Sequence, residues 1–305
     1  MTSVLASWNN TPRKQAIVDF VTAISDPGSE QYVPPAERVA TFDNDGTLWC
    51  EKPAYIQLYF GIERLKQLAE TDRTQLAKPS FRAAAAGDTA YFAGLYPDRL
   101  EELAEIVYDS HAGMSQTEFQ AQAYSFLTNS RHPRFDVPFK QCGYLPMVEL
   151  LHYLRAHGFK VFIASAGGMS FVRTVSEEIY DIPRENVIGS NIMFELGREG
   201  DLVTVQRRPG LLQPISDGPG KPLNIELHIG RPPVLAAGNA DGDLEMFEYA
   251  ASSGKPFLNL LLRHDDAARE YAYDSGAERV QQQARSRGWT MVSMEKDFKK
   301  VFSFS

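Results

Sequence analysis

Two aspartates two positions apart, Asp43 and Asp45, stand in the string Phe42-Asp43-Asn44-Asp45-Gly46-Thr47-Leu48, directly after the apolar run Val39-Ala40-Thr41. A short buried strand that runs into a glycine turn delivers both carboxylates just beyond its carboxyl end. That pair suits phosphoryl transfer. One carboxylate can attack phosphorus; the second, turned by the backbone, can protonate the leaving oxygen and later deprotonate water. Carboxylates packed this closely repel one another unless a cation is present, and a hard ion held by oxygen donors at about 2.0–2.1 Å suits Mg²⁺. The ion would also screen the phosphate from the anionic nucleophile.

Further polar positions follow or flank apolar runs: Ser165 after Val161-Phe162-Ile163-Ala164, Lys221 at the opening of a helix, and Asn239, Asp241 and Asp243 after Val234-Leu235-Ala236-Ala237. Ligands of open parallel sheets bind in the crevice beyond the carboxyl ends of the strands, so strand ends and a helix start can meet at one point. There Lys221 can bind phosphate and keep Asp43 ionised. Ser165 Oγ and the backbone N–H groups of Ala166 and Gly167 can donate to phosphate oxygens. Taken singly, each position has a blander reading: a common turn, a helix cap, a solvated lysine. Their order along the chain and their placement after strands favour a single site.

The elements that must hold this site follow from periodicity. Thr11-Pro12 predicts a helix start, and Ile17, Phe20, Val21 and Ile24 carry that helix to about Ser25. From Pro53 to about Arg131 the apolar spacing is helical, with Ser115 and Glu118 spaced as a capping box, until the proline-rich return between Arg131 and Pro138. Helix Leu145 to His157, strand Lys160 to Ser165, helix Met169 to Tyr180 and strand Val187-Ile188 then alternate as in a parallel sheet with crossover helices. Residues 191–207 predict a β-hairpin turning at Gly197-Arg198-Glu199-Gly200. Helix Pro222 to Ile229, strand Pro233 to Ala237, helix Asp243 to Ala250, strand Pro256 to Leu262, two terminal helices and a last segment from Trp289 to Met294 complete the order.

With 305 residues, 43% of them hydrophobic, the chain can bury a sizeable core. A net charge of −8 with dispersed Lys and Arg argues against a nucleic-acid partner. No stretch of about 18 apolar residues predicts a membrane span. The N-terminus lacks a basic start followed by a long apolar run, which predicts a cytoplasmic protein; a leader peptide already removed would make it periplasmic or secreted instead. Cys50 and Cys142, far apart and without metal spacing, read as packing thiols.

The residues Phe42 to Leu48 resemble the first motif of the haloacid dehalogenase superfamily, in particular its phosphoserine-phosphatase-like branch with a helical cap. Ala164-Ser165 resembles the second motif, Gly220-Lys221-Pro222 the third, and Gly238-Asn239-Ala240-Asp241-Gly242-Asp243 the fourth. The resemblance implies an α/β fold: a Rossmann-like three-layer α/β/α core with a parallel sheet, formed by residues 1–50 and 141–305. It places a helical cap at 51–140, inserted after the first motif, and leaves 191–207 as a small hairpin in the core. It implies Asp43 as nucleophile and Mg²⁺ ligand, Asp45 as general acid/base binding the metal through its carbonyl, and Ser165, Ala166, Gly167 and Lys221 as phosphate holders. It also implies a phosphatase acting on a small-molecule phosphomonoester through an aspartyl-phosphate. A phosphotransferase or phosphomutase would share the same core, and a non-catalytic phosphate-binding module is the alternative of another class. Asp45 argues against dehalogenation, since the superfamily's dehalogenases lack this acid.

The fourth motif usually begins Gly-Asp, and Asn239 stands at that place; Asn239, with Asp243 or Asp241, is expected to complete the metal site. Asp243→Ala is therefore expected to weaken Mg²⁺ binding more than Asn239→Ala. Phosphoserine phosphatases carry a cap-side Glu where this chain has Lys52, with Glu51 one position earlier, so phosphoserine itself is a poor fit. Arg82, His111, Arg131, His132 and Arg134 are candidates for a distal anionic group of the substrate, against a structural role in the cap. The sequence says nothing about oligomeric state.

Overall fold

The computed structural model describes residues 4–93, 95 and 99–304. The chain opens with helix α1 (Pro12–Ser25), which starts where Thr11 Oγ1 accepts from Lys14 N and buries Ile17, Val21 and Ile24. Strand β1 (Val39–Phe42) follows, buried at all four positions as a central parallel strand must be. A helical segment comes next: α2 (Ile56–Thr71), α3 (Pro79–Ala86), α4 (Thr89–Ala93), α5 (Leu100–Val107) and α6 (Gln116–Asn129). Ser115 and Glu118 close the capping box of α6.

The alternating part runs α7 (Leu145–Ala156), β2 (Lys160–Gly168), α8 (Met169–Val172), α9 (Ser176–Tyr180), β3 (Val187–Glu199), β4 (Leu202–Leu212), α10 (Gly220–Ile229), β5 (Leu235–Gly238), α11 (Leu244–Ala251), β6 (Leu258–Asp265), β7 (Ala272–Tyr273), α12 (Glu278–Arg287), β8 (Thr290–Ser293) and α13 (Met294–Asp297). The sheet order is β4-β3-β2-β1-β5-β6-β7, with β8 also on β6. Strands β3, β2, β1, β5, β6 and β8 pair in parallel. β4 and β7 are the antiparallel additions.

Successive strand side chains go to opposite layers, as the two-residue period requires. Ala40, Phe42, Ile163, Ala237 and Leu260 join α1 and α7 in one core, whereas Ala164, Ala236 and Leu261 join α10, α11 and α12 in the other. The result is a three-layer α/β/α, Rossmann-like core. A third cluster, formed by Leu58, Leu65, Phe81, Ile106 and neighbours, belongs to α2, α3 and α5. Phe60 ties that segment to the core by stacking on Phe171 of α8 at 5.4 Å.

Three elements differ from the periodicity. The helix expected from Met169 to Tyr180 is broken into α8 and α9 around Arg173–Val175. The hairpin turns at Gly200-Asp201, and β3 runs unbroken from its parallel pairing with β2 into the hairpin. Of the two helices expected before Trp289, only α12 forms: residues 266–275 instead make turns and the short β7, because Glu270 is drawn into the interior.

Candidate active site

The site begins where β1 ends. Asp43 N continues the ladder to Ala237 O at 2.9 Å, so the side chain leaves the sheet at its carboxyl edge, only 6% exposed. Asp43 Oδ1 accepts from Lys221 Nζ at 2.6 Å, and the same ammonium reaches Asp243 Oδ1 at 2.6 Å. Lys221 lies in the first turn of α10, which can begin so close to the preceding loop only because residue 220 is glycine: a Cβ there would meet Ile215 O at 1.7 Å. Asp243 Oδ2 accepts from the backbone N of Asn239 and of Ala240 at 2.9 and 3.1 Å, which fixes the turn after β5.

Asp45 sits in a tight turn in which Asn44 O accepts from the N–H groups of Thr47, Leu48 and Trp49. Gly46 takes φ +73°, and a Cβ on it would come within 2.2 Å of Asn239 Nδ2; no other residue type fits both demands. Trp49 Nε1 donates to Asp45 Oδ1 at 2.9 Å, and Ser165 Oγ lies 3.5 Å from Asp45 Oδ2. Gly167 N donates to Ser165 Oγ at 2.9 Å, and Ala166 O accepts from Ser190 Oγ at 2.8 Å, which shapes the loop at the end of β2. The structure therefore brings Asp43, Asp45, Ser165, Gly167, Lys221, Asn239 and Asp243 to one place. Asp241 is elsewhere: its Oδ1 accepts from Val280 N at 2.7 Å and caps α12.

The expectation that Lys221 keeps Asp43 ionised is not met by the lysine alone, because burial raises both acids of the first motif. Burial raises the Asp45 carboxyl to about 6, with Glu51 adding to the rise and the Trp49 hydrogen bond opposing it. Burial and the Asp243 charge raise Asp43 well above the carboxylate range, against Lys221. Burial would lower the Lys221 ammonium, but Asp243 and Asp43 outweigh it and the net shift is upward. One lysine thus faces Asp43, Asp243 and the nearby Asp45 and Glu51, an excess of negative charge that a divalent cation would relieve.

The donor set suits such an ion. Among the described residues, no three Asp, Glu, His or Cys side chains form a metal cluster of their own. The donors on offer are instead hard oxygens of mixed kind: the second Asp43 oxygen, the Asp45 carbonyl and Asn239 Oδ1, completed by water and phosphate as Mg²⁺ prefers. Both Asp243 oxygens are already engaged.

The five residues expected to reach a distal anionic group each have a structural partner. Arg82 donates to Leu76 O and Ala77 O, Arg131 pairs with Asp136, and Arg134 donates to Glu270 O and Ala267 O. His111 stacks on Phe60, and His132 Nε2 meets Lys52 O at 2.8 Å. Gln57 and Glu51 were not legible as site residues. Gln57 Oε1 accepts from Gly168 N at 2.7 Å, joining α2 to the loop at the end of β2. Glu51 reaches Asn239. The signal for Glu51 is an acid placed directly after the apolar Leu48-Trp49-Cys50 in a chain whose fourth motif has Asn239 in place of its first acid.

Fold and site together define a hydrolase of the Rossmann-like α/β type. The family model of the haloacid dehalogenase-like hydrolases matches residues 40–248, and the chain belongs to that family. A search of curated proteins found no match. Among solved structures, it is similar to a conserved functionally unknown protein from Anaerococcus prevotii DSM 20548 (16% identity, 98% of each chain covered, TM-score 0.62). It is also similar to a protein with unknown function from Bordetella pertussis Tohama I (14% identity, 84% of this chain and 98% of that one, TM-score 0.55). These likenesses show the fold.

Proposed function

We propose that the protein is a Mg²⁺-dependent phosphatase that hydrolyses a small-molecule phosphomonoester through an aspartyl-phosphate on Asp43. The observation that carries this reading is the meeting of two carboxylates with different partners: Asp43 held by Lys221 at 2.6 Å, and Asp45 held by Trp49 Nε1 at 2.9 Å beside Ser165. The lysine beside Asp43 suits it to carry the phosphoryl group, and the placement of Asp45 two residues on suits it to meet the leaving oxygen.

In this reading an Asp43 oxygen forms a bond to phosphorus as the bond to the leaving oxygen breaks, and Asp45 gives that oxygen its proton. A water then attacks the phosphorus of the aspartyl-phosphate while Asp45 takes up the proton, releasing phosphate and restoring Asp43. Lys221, Ser165 Oγ and the Ala166 N–H hold the non-bridging oxygens, joined by the Gly167 N–H once it turns from Ser165 Oγ to the phosphate. Asp43, the Asp45 carbonyl and Asn239 would hold Mg²⁺, which neutralises phosphate charge when bound. Asp243 positions Lys221 and the turn instead of binding metal. Residues 51–140 act as a cap over a core of 1–50 and 141–305, closing the site against water through Gln57 and Tyr108, whose hydroxyl lies 3.3 Å from Ala166 O.

A panel of phosphomonoesters assayed with Mg²⁺, with EDTA and with Asp43→Asn tests it. Phosphate release that needs Mg²⁺ and falls at least about 10³-fold in Asp43→Asn is expected; release unchanged by that substitution would refute the mechanism.

A further inference from the structure

Asn239 leaves the metal site one negative charge short of a carboxylate at the same place, and Glu51 stands directly behind it. Glu51 is 7% exposed, and its Oε1 accepts from Tyr273 OH at 2.6 Å and from Asn239 Nδ2 at 3.3 Å. Among the described residues, no lysine, arginine or histidine forms an ion pair with Glu51. A buried carboxylate without a cation is costly and asks for one nearby. The amide itself can face only one way: Nδ2 meets an acceptor-only carboxylate, while Oδ1 accepts from Thr47 Oγ1 at 3.1 Å and keeps a second lone pair. Reversing it would set two oxygens against each other.

We propose that Glu51 and Asn239 work as one unit in place of a metal-binding aspartate. Asn239 offers the oxygen, and Glu51, through the amide, offers the charge and fixes which end of Asn239 faces the first-motif loop. Glu51 is a positioning residue here, held in turn by Tyr273 from the short β7. The inference rests on the Mg²⁺ reading above and adds a source for its missing charge. Outer partners of this kind typically change metal affinity by about 10–100-fold when removed.

The test is Mn²⁺ binding to the full chain, read by loss of the free-ion EPR signal, with Mg²⁺ competition, independent of turnover. Glu51→Gln is expected to weaken binding about 10–100-fold, and Tyr273→Phe to weaken it less but in the same direction. Asn239→Asp alone, which sets a second carboxylate against Glu51, is expected not to tighten binding. Glu51→Gln with Asn239→Asp is expected to return affinity to near the wild-type value, because the charge has then moved onto the ligand itself. Wild-type affinity in Glu51→Gln, or a double variant no better than Glu51→Gln, overturns the pairing while leaving the metal reading intact. A wild-type chain that binds no Mn²⁺ overturns both.

Discussion

At the scale of single residues, Asp45 differs from Asp43 in its partners, Trp49 and Ser165 in place of Lys221. Burial raises Asp45 from an ordinary 3.8 to about 6, so its contribution to stability is complete below the lower value and is lost as the pH rises through the upper one. Asp45→Asn should therefore match the wild type near pH 3 and exceed it by about 3 kcal/mol near pH 8. Urea unfolding in EDTA at the two pH values measures this. The same variant should lose about 10²–10⁴ in kcat, since the leaving oxygen loses its proton donor; a variant with unimpaired kcat would remove Asp45 from the mechanism. Asp43, Asp45 and Lys221 were legible because each follows a strand or opens a helix, and strand ends converge by topology. The partnership of Glu51 with Asn239 was not legible: the two are separated by most of the core, and only the folded turn at Gly46 brings them together.

Elements explain why this site stays rigid. The loop after β1 is held from behind by β6, where His264 Nε2 meets Gly46 O at 2.8 Å and Nδ1 meets Glu270 Oε2 at 3.2 Å. Glu270 is fully buried and also accepts from Tyr271 N at 2.6 Å and from Cys50 Sγ and Tyr144 OH, each at 3.0 Å. Burial would raise its carboxyl, yet His264 and these donors carry it below the ordinary range. Removing it in Glu270→Ala strands four donors and should cost about 3–5 kcal/mol, measured by urea unfolding at pH 7. A loss under about 1 kcal/mol would show that the network carries no weight. This hub also explains why one of the two expected terminal helices does not form. Asp266-Ala267-Ala268-Arg269-Glu270 has good helix formers, but Arg269 pairs with Asp266 and donates to Met294 O and Phe298 O, while Glu270 turns inward, and tertiary demand outweighs propensity.

For the whole molecule, the α/β order was plain from the alternation of apolar runs and helical faces, as was the helical stretch after the first motif. What periodicity could not give was the length of β3, which serves the parallel sheet and the hairpin in one piece, because a strand's pairing partners leave no mark on its own pattern. Among the described residues, no helix is long and apolar enough to cross a membrane. The helical segment meets the loop at the end of β2 through Gln57 and Tyr108, beside Asp43 and Lys221, which are only 6% and 2% exposed. The whole arrangement has one chemical claim at its centre, a phosphoryl group carried on Asp43. Acid quenching during turnover of a substrate found by the panel, followed by borohydride reduction and peptide mass spectrometry, reads that claim directly. Homoserine is expected at position 43 in the wild type and none in Asp43→Asn; a reduced or phosphorylated residue at any other position in the actively turning-over wild type would contradict the mechanism.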